Sequence, residues 1–219
     1  TVTATDAAGN VAVLGGNNSL AFSFDLDAPD APEISAVTLT SNTENVRAIY
    51  ASADGESDFT ISAVAANGTI SNVALSTDPI NLGSEDLYAF ASPVPNGSYL
   101  VVADADAAGN EAATLLVVDN NASVAVDLNR AGLQGFDFSS IDLSFAEAGL
   151  TITEEQIMAL TGPDHTLVIH GDGADQITAL GAVDTGQSTL INGQSHSIYT
   201  LGDDGATLII DDQITHLMI

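Results

Sequence analysis

Asp106-Ala107-Ala108-Gly109-Asn110 repeats a pentapeptide already present at Asp6-Ala7-Ala8-Gly9-Asn10. The copies lie one hundred residues apart, about the size of one immunoglobulin-like β-sandwich. A loop signature recurring at one-domain spacing points to tandem modules rather than to a single enzyme fold. Asp and Asn offer side-chain oxygens, and Gly lets the backbone take positive φ so that carbonyl groups converge. A plain turn capped by its own Asp uses the same residues.

Outward from the second copy the chain reads as strands. Seven candidates fall within residues 33–119: Glu33–Thr40, Val46–Ser52, Phe59–Ala65, Ile70–Ser76, Leu87–Ala91, Ser98–Ala103 and Ala112–Val118. Side chains alternate in Phe59/Ile61/Ala63 and Val46/Ala48/Tyr50, and Asn67-Gly68 and Asn96-Gly97 sit where turns are needed. Seven short strands with that turn spacing predict a sandwich over residues 28–119. Ala28-Pro29-Asp30-Ala31-Pro32 is a stiff boundary ahead of it. Residues 1–27 carry two strand-like runs, Thr1–Thr5 and Leu20–Leu26. Two strands bury no core alone. They read as the end of a preceding module, or as strands paired with residues 33–119 or lent to a neighbouring copy.

Residues 120–135 are small and polar, a connector. Residues 136–219 read as a mostly antiparallel β-rich domain with one short helix. Thr153-Glu154-Glu155-Gln156 fits a capping box ahead of Ile157, Met158 and Leu160. Strand candidates follow at Thr166–Ile169, Gln176–Leu180, Ser188–Ile191, Ser195–Leu201, Ala206–Ile210 and Ile214–Ile219, with turns at Asn192-Gly193 and Gly202–Gly205. The expected class is therefore all-β.

Charge narrows the partners. Arg47 and Arg130 are the only Lys or Arg residues against 30 Asp and Glu, a formal net charge of −28. Nucleic acid and anionic membrane surfaces both need cations the chain lacks. With 45 % hydrophobic residues the chain can fill a core, so acidity does not mean disorder. Self-repulsion in the compact state is relieved by divalent cations, and Ca²⁺ prefers carboxylate and carbonyl oxygens. The absence of Cys excludes disulfides, thiolate zinc sites and cysteine catalysis. Such acidity with no Lys favours an exported protein over a cytosolic one. No apolar run is long enough to span a bilayer as a helix.

Two resemblances sharpen this. Thr3–Asn10, then Phe24-Asp25-Leu26-Asp27 and the Ala-Pro-Asp-Ala-Pro boundary, resemble the junction between bacterial Ig-like repeats of giant adhesins. Val102–Asn110 resembles the next such loop, although Asp119-Asn120-Asn121 lacks the Pro-rich continuation. In that family inter-repeat linkers commonly bind Ca²⁺. The implied ligands are Asp6, Asn10, Asp25, Asp27, Asp104, Asp106, Asn110 and Asp119. Gly171-Asp172-Gly173-Ala174-Asp175-Gln176-Ile177 is similar to one half-turn of the repeats-in-toxin nonapeptide, with His170 where the first Gly would stand. Consecutive copies of that turn hold Ca²⁺ in a parallel β-roll. Residues 136–219 as a whole resemble the C-terminal region of type I-secreted repeats-in-toxin adhesins.

The resemblance implies an extracellular, non-enzymatic protein of cell adhesion and biofilm fibres on a bacterial surface. Its partners would be other modules or copies of itself and a cell-surface or matrix ligand, with no nucleic acid and no membrane insertion. Two alternatives stay open: a filament or surface-layer subunit assembled by strand exchange, and accessory modules of a secreted hydrolase or lyase. Gly193-Gln194-Ser195-His196-Ser197 approaches the nucleophile elbow but reads as a strand after a hairpin turn. His165, His170, His196 and His216 show no i,i+4 pair and read as surface or strand residues rather than ligands.

Overall fold

The computed structural model describes residues 2–5, 11–14, 28–41, 44–52, 59–106, 109–119 and 123–219. The chain is all-β with one short helix. β1 (Val2–Thr5) and β2 (Val11–Leu14) form a two-stranded antiparallel sheet of their own, Thr5 opposite Val11. β1, within the run Thr1–Thr5, does not join the sheets of residues 33–119, as the sequence had suggested it could; β2 was not read from the sequence. The run Leu20–Leu26 lies outside the described residues.

Eight strands follow: β3 (Glu33–Leu39), β4 (Val46–Ser52), β5 (Thr60–Val64), β6 (Ile70–Asn72), β7 (Ile80–Asn81), β8 (Asp86–Val94), β9 (Tyr99–Ala105) and β10 (Glu111–Val118). One sheet runs β3-β4-β8-β7, and β10-β9-β5-β6 is one end of a second. This is the immunoglobulin-like order, with the first two strands beside the sixth and the last two beside the third. Ile49, Tyr88 and Phe90 of the first sheet meet Ile61, Leu100, Val102 and Leu116 of the second. Phe59 stacks on Tyr88 with centroids 5.5 Å apart. Within these eight, sequence reading passed over β7, only two residues long.

β10 breaks the sandwich alternation. Ala112 to Val118 are all buried. Leu116 and Val118 face the sandwich core, whereas Ala113, Leu115 and Val117 belong to a second core. A strand apolar on both sides is covered on both sides. What covers it is the rest of the chain.

That remainder is β11 (Val124–Val126), a 3₁₀ turn (Leu133–Gly135), β12 (Phe138–Phe145), β13 (Ala148–Thr151), α1 (Glu154–Leu160), β14 (Thr166–His170), β15 (Gln176–Thr178), β16 (Ala182–Ile191), β17 (Gln194–Leu201), β18 (Ala206–Asp211) and β19 (His216–Met218). β10, β12, β14 and β18 pair in parallel within the large sheet. β11, β13, β15 and β19 pair in parallel in a four-stranded sheet. The chain alternates between the two, so it winds as a parallel two-sheet solenoid whose first coil begins with β10. The β16–β17 hairpin is inserted before the last coil and extends the large sheet to nine strands.

Two ladders fill this core. Leu115, Ile141, Ile169 and Ile210 stack in register on one side, and Val126, Leu150, Ile177 and Leu217 on the other. Stacking like on like buries each apolar side chain against its neighbours on successive coils. Antiparallel pairs predominate over the chain, as the sequence had suggested for residues 136–219. In the C-terminal unit, however, they are confined to β16-β17-β18, and coil-to-coil pairing is parallel. The connector expected at 120–135 contributes β11 to the first coil. α1 has the capping box read from sequence, Thr153 with Gln156, and lays Ile157 and Leu160 on the core. Among the described residues no helix is long and apolar enough to cross a membrane.

Candidate metal centre

β14 and β18 end alike. Thr166-Leu167-Val168-Ile169-His170 lies beside Thr207-Leu208-Ile209-Ile210-Asp211, with Thr166 opposite Thr207 and Ile169 opposite Ile210. Ile169 and Ile210 point into the solenoid core. By strand alternation His170 and Asp211 point to the outer face. His196 on β17 is directly opposite Asp211. Three side chains from three neighbouring strands thus meet on one face.

Their geometry is tight. The Nε2 of His196 is 3.3 Å from Nδ1 of His170 and 4.0 Å from Oδ2 of Asp211. The rings of His170 and His196 meet edge to face at 5.2 Å. His196 is 0 % exposed and Asp211 6 %. The Nδ1 of His196 lies 3.1 Å from the Gln194 carbonyl. A carbonyl only accepts, so Nδ1 is the donor in that contact, and Nε2 is the nitrogen turned toward the other two groups. Burial holds His170 below the ordinary imidazole range, and so does neighbouring His196; Asp211 and Glu33 pull the other way. Among the described residues this is the one group of three or more His, Asp or Glu side chains close enough to share an ion.

The surroundings enclose the site. Asp142 on β12 is in register with His170; it is buried, and its Oδ1 accepts the Ser144 amide at 2.9 Å. Burial raises the Asp142 carboxyl above the usual range, opposed by its bonds to Ser144. The start of β3 crosses the same sheet: Thr114 Oγ1 donates to the Pro32 carbonyl, and the Asn192 side-chain amide donates to Glu33 Oε1.

The residues expected to bind Ca²⁺ sit elsewhere. Asp6, Asn10, Asp25 and Asp27 lie outside the described residues. Asp104 is buried at the end of β9, and its Oδ1 accepts the Ala105 amide at 2.8 Å. Asp106 and Asn110 close their loop on each other. Asp106 Oδ1 accepts the Asn110 amide at 2.9 Å and Oδ2 accepts its side-chain amide at 2.7 Å. Asp119 accepts from Asn96 Nδ2 at 3.3 Å. Asp104, Asp106 and Asn110 lie together where β9 turns into β10, whereas Asp119 follows β10 at the opposite end of that pair, beside Asn96. The Gly171–Asp175 stretch turns the chain from β14 into β15, from one sheet of the solenoid to the other. Asp175 is 0 % exposed, and its two oxygens accept the amides of Ala148 at 2.9 Å and Asp172 at 2.8 Å. Gly193–Ser197 begins β17 after the hairpin turn, as the sequence indicated.

Sequence reading looked for histidines one helical turn apart and passed over strands that converge by register. The signal was present in the near-repeat Thr-Leu-Val-Ile-His at 166–170 and Thr-Leu-Ile-Ile-Asp at 207–211. Two copies of one solenoid strand place their fifth residues side by side. Comparison with family models, curated proteins and solved structures finds no match to this chain.

Proposed function

We propose that the chain is a load-bearing, non-catalytic segment of an extracellular bacterial adhesin or fibre, stiffened by Ca²⁺ and exported by type I secretion. The observation that carries this reading is β10. It is the last strand of the sandwich and the first strand of the solenoid. Tension entering at one unit would therefore pass to the other through a ladder of backbone hydrogen bonds.

A second observation supports the tandem architecture. Thr5 stands opposite Val11 across the first Asp-Ala-Ala-Gly-Asn copy, and Ala105 opposite Glu111 across the second. Both copies join antiparallel strands in the same register, as the final hairpins of two successive modules would. The calcium part rests on Asp104 and Asp106, which flank the turn into β10, and on the −28 charge. An ion there would take over the oxygens that Asn110 now engages.

Export tests the reading. A passenger protein fused ahead of the chain, in bacteria carrying a type I apparatus, reaches the medium when residues 136–219 are present. It stays inside when the chain stops at residue 135. Equal export of both would overturn the assignment.

A further inference from the structure

We propose that His170, His196 and Asp211 bind one divalent transition-metal ion of the zinc class, and that this ion fastens the β16–β17 hairpin to the last two coils of the solenoid. The inference stands apart from the adhesin reading and from the calcium loops.

The donor atoms are spaced for it. Two imidazole nitrogens held about 2.0–2.1 Å from a tetrahedral ion are about 3.3 Å apart. His170 Nδ1 and His196 Nε2 are separated by 3.3 Å. All three ligand atoms lie within 4.8 Å of one another. The carboxylate, at 4.0 Å from His196, needs only a small side-chain rotation to close the set. The orientation is fixed as well, because the far nitrogen of His196 is held by the Gln194 carbonyl. Ligating histidines are commonly anchored through their second nitrogen in this way. Burial adds a reason: Asp211 Oδ1 accepts the Gln213 amide at 2.9 Å, but Oδ2 faces the buried His196 ring from 4.0 Å, beyond hydrogen-bond reach, and an ion between them would close that gap.

Ligand chemistry selects the metal. Two imidazoles and one carboxylate suit Zn²⁺ and its first-row neighbours, whereas Ca²⁺ requires six to eight oxygens. A fourth position is left for water. The ligands come from β14, β17 and β18, so the ion would tie the three strands together on the face opposite their shared core.

The test uses the full chain, stripped with chelator and titrated with Zn²⁺ by calorimetry, with Co²⁺ absorption reporting geometry. One Zn²⁺ per chain is expected, with a tetrahedral Co²⁺ spectrum and no displacement by millimolar Ca²⁺. His170→Gln and Asp211→Asn should each weaken binding by at least about 100-fold, since losing even a supporting contact costs 10–100-fold. His216→Gln, on exposed β19, should bind like the parent. Because His170 is only partly buried, His170→Gln keeps the fold and decides the matter if Asp211→Asn does not fold. No Zn²⁺ uptake by the folded parent, unchanged affinity in His170→Gln, or displacement by Ca²⁺ would overturn the proposal.

Discussion

The hydroxyl of Ser140 lies 2.7 Å from that of Thr114, across the parallel pairing of β12 with β10. Thr114 gives its own proton to the Pro32 carbonyl, so Ser140 donates to Thr114. Three segments meet in this relay: the entry to the sandwich, its last strand, and the next coil of the solenoid. Thr114 and Ser140 are both buried.

Thr114→Val keeps the shape and removes both bonds. It leaves the Pro32 carbonyl and the Ser140 hydroxyl unpaired, at a cost of about 2–3 kcal/mol. Ser140→Ala removes one partner and should cost about 1 kcal/mol. Urea unfolding of both variants checks the order. A Thr114→Val protein as stable as the parent would contradict the relay.

Asp175 gives a pH signature. Burial raises its carboxyl above the usual range, against the amides of Asp172 and Ala148, while the charges of Asp172 and Asp142 push it further up. The folded value thus exceeds the unfolded one, and the folded state holds the proton more tightly. The stability from this group is fully present below about pH 3.8 and is lost as pH rises through the folded value. Asp175→Asn does not titrate and should cost about 1–3 kcal/mol near pH 4. Its deficit should shrink toward pH 7 in denaturant titrations. A deficit that grows with pH would reverse the assignment.

Arg130 pins the segment after β11 to the sandwich. Its guanidinium lies 3.4 Å from the Tyr99 ring centroid and donates to the carbonyls of Val64 at 3.1 Å and Gly97 at 3.3 Å. Beside it, a Cβ added to Gly68, at φ +80°, would come within 2.6 Å of Ala131. Arg130→Ala should cost about 2 kcal/mol, and Gly68→Ala at least about 1 kcal/mol from the backbone alone. Thermal melts of the two variants measure this. Melting temperatures equal to the parent's would mean the segment is not held there.

Calcium has its own test. If Asp104 and Asp106 hold an ion, excess Ca²⁺ raises the melting temperature of the chelator-treated chain by mass action. Asp104→Asn with Asp106→Asn should lose the part of that rise owed to this loop. An identical rise in the double variant would remove the loop from the calcium account.

The sandwich was legible because its strands alternate and its turns carry Asn-Gly. Val46–Ser52 was bounded to the residue from such a pattern. The solenoid was not. β11 and β13 span only three and four residues, too short for a period to show. Parallel partners lie far apart in sequence, so no turn announces them. The run Ala112–Val118, apolar but for Thr114, did carry the message that β10 is covered on both faces. The residues of the candidate metal centre were hidden for the same reason: His170 and His196 are 26 positions apart and meet only through strand register. The helix was legible through its cap, a local signal that tertiary context did not override.

The central claim is that sandwich and solenoid share β10 and bear load as one body. Single-molecule stretching with handles at residues 28 and 219 tests it most directly. The account predicts one cooperative rupture releasing roughly 650 Å of extended chain, at about 3.4 Å per residue. Two separate events of roughly half that length each, at different forces, would contradict it.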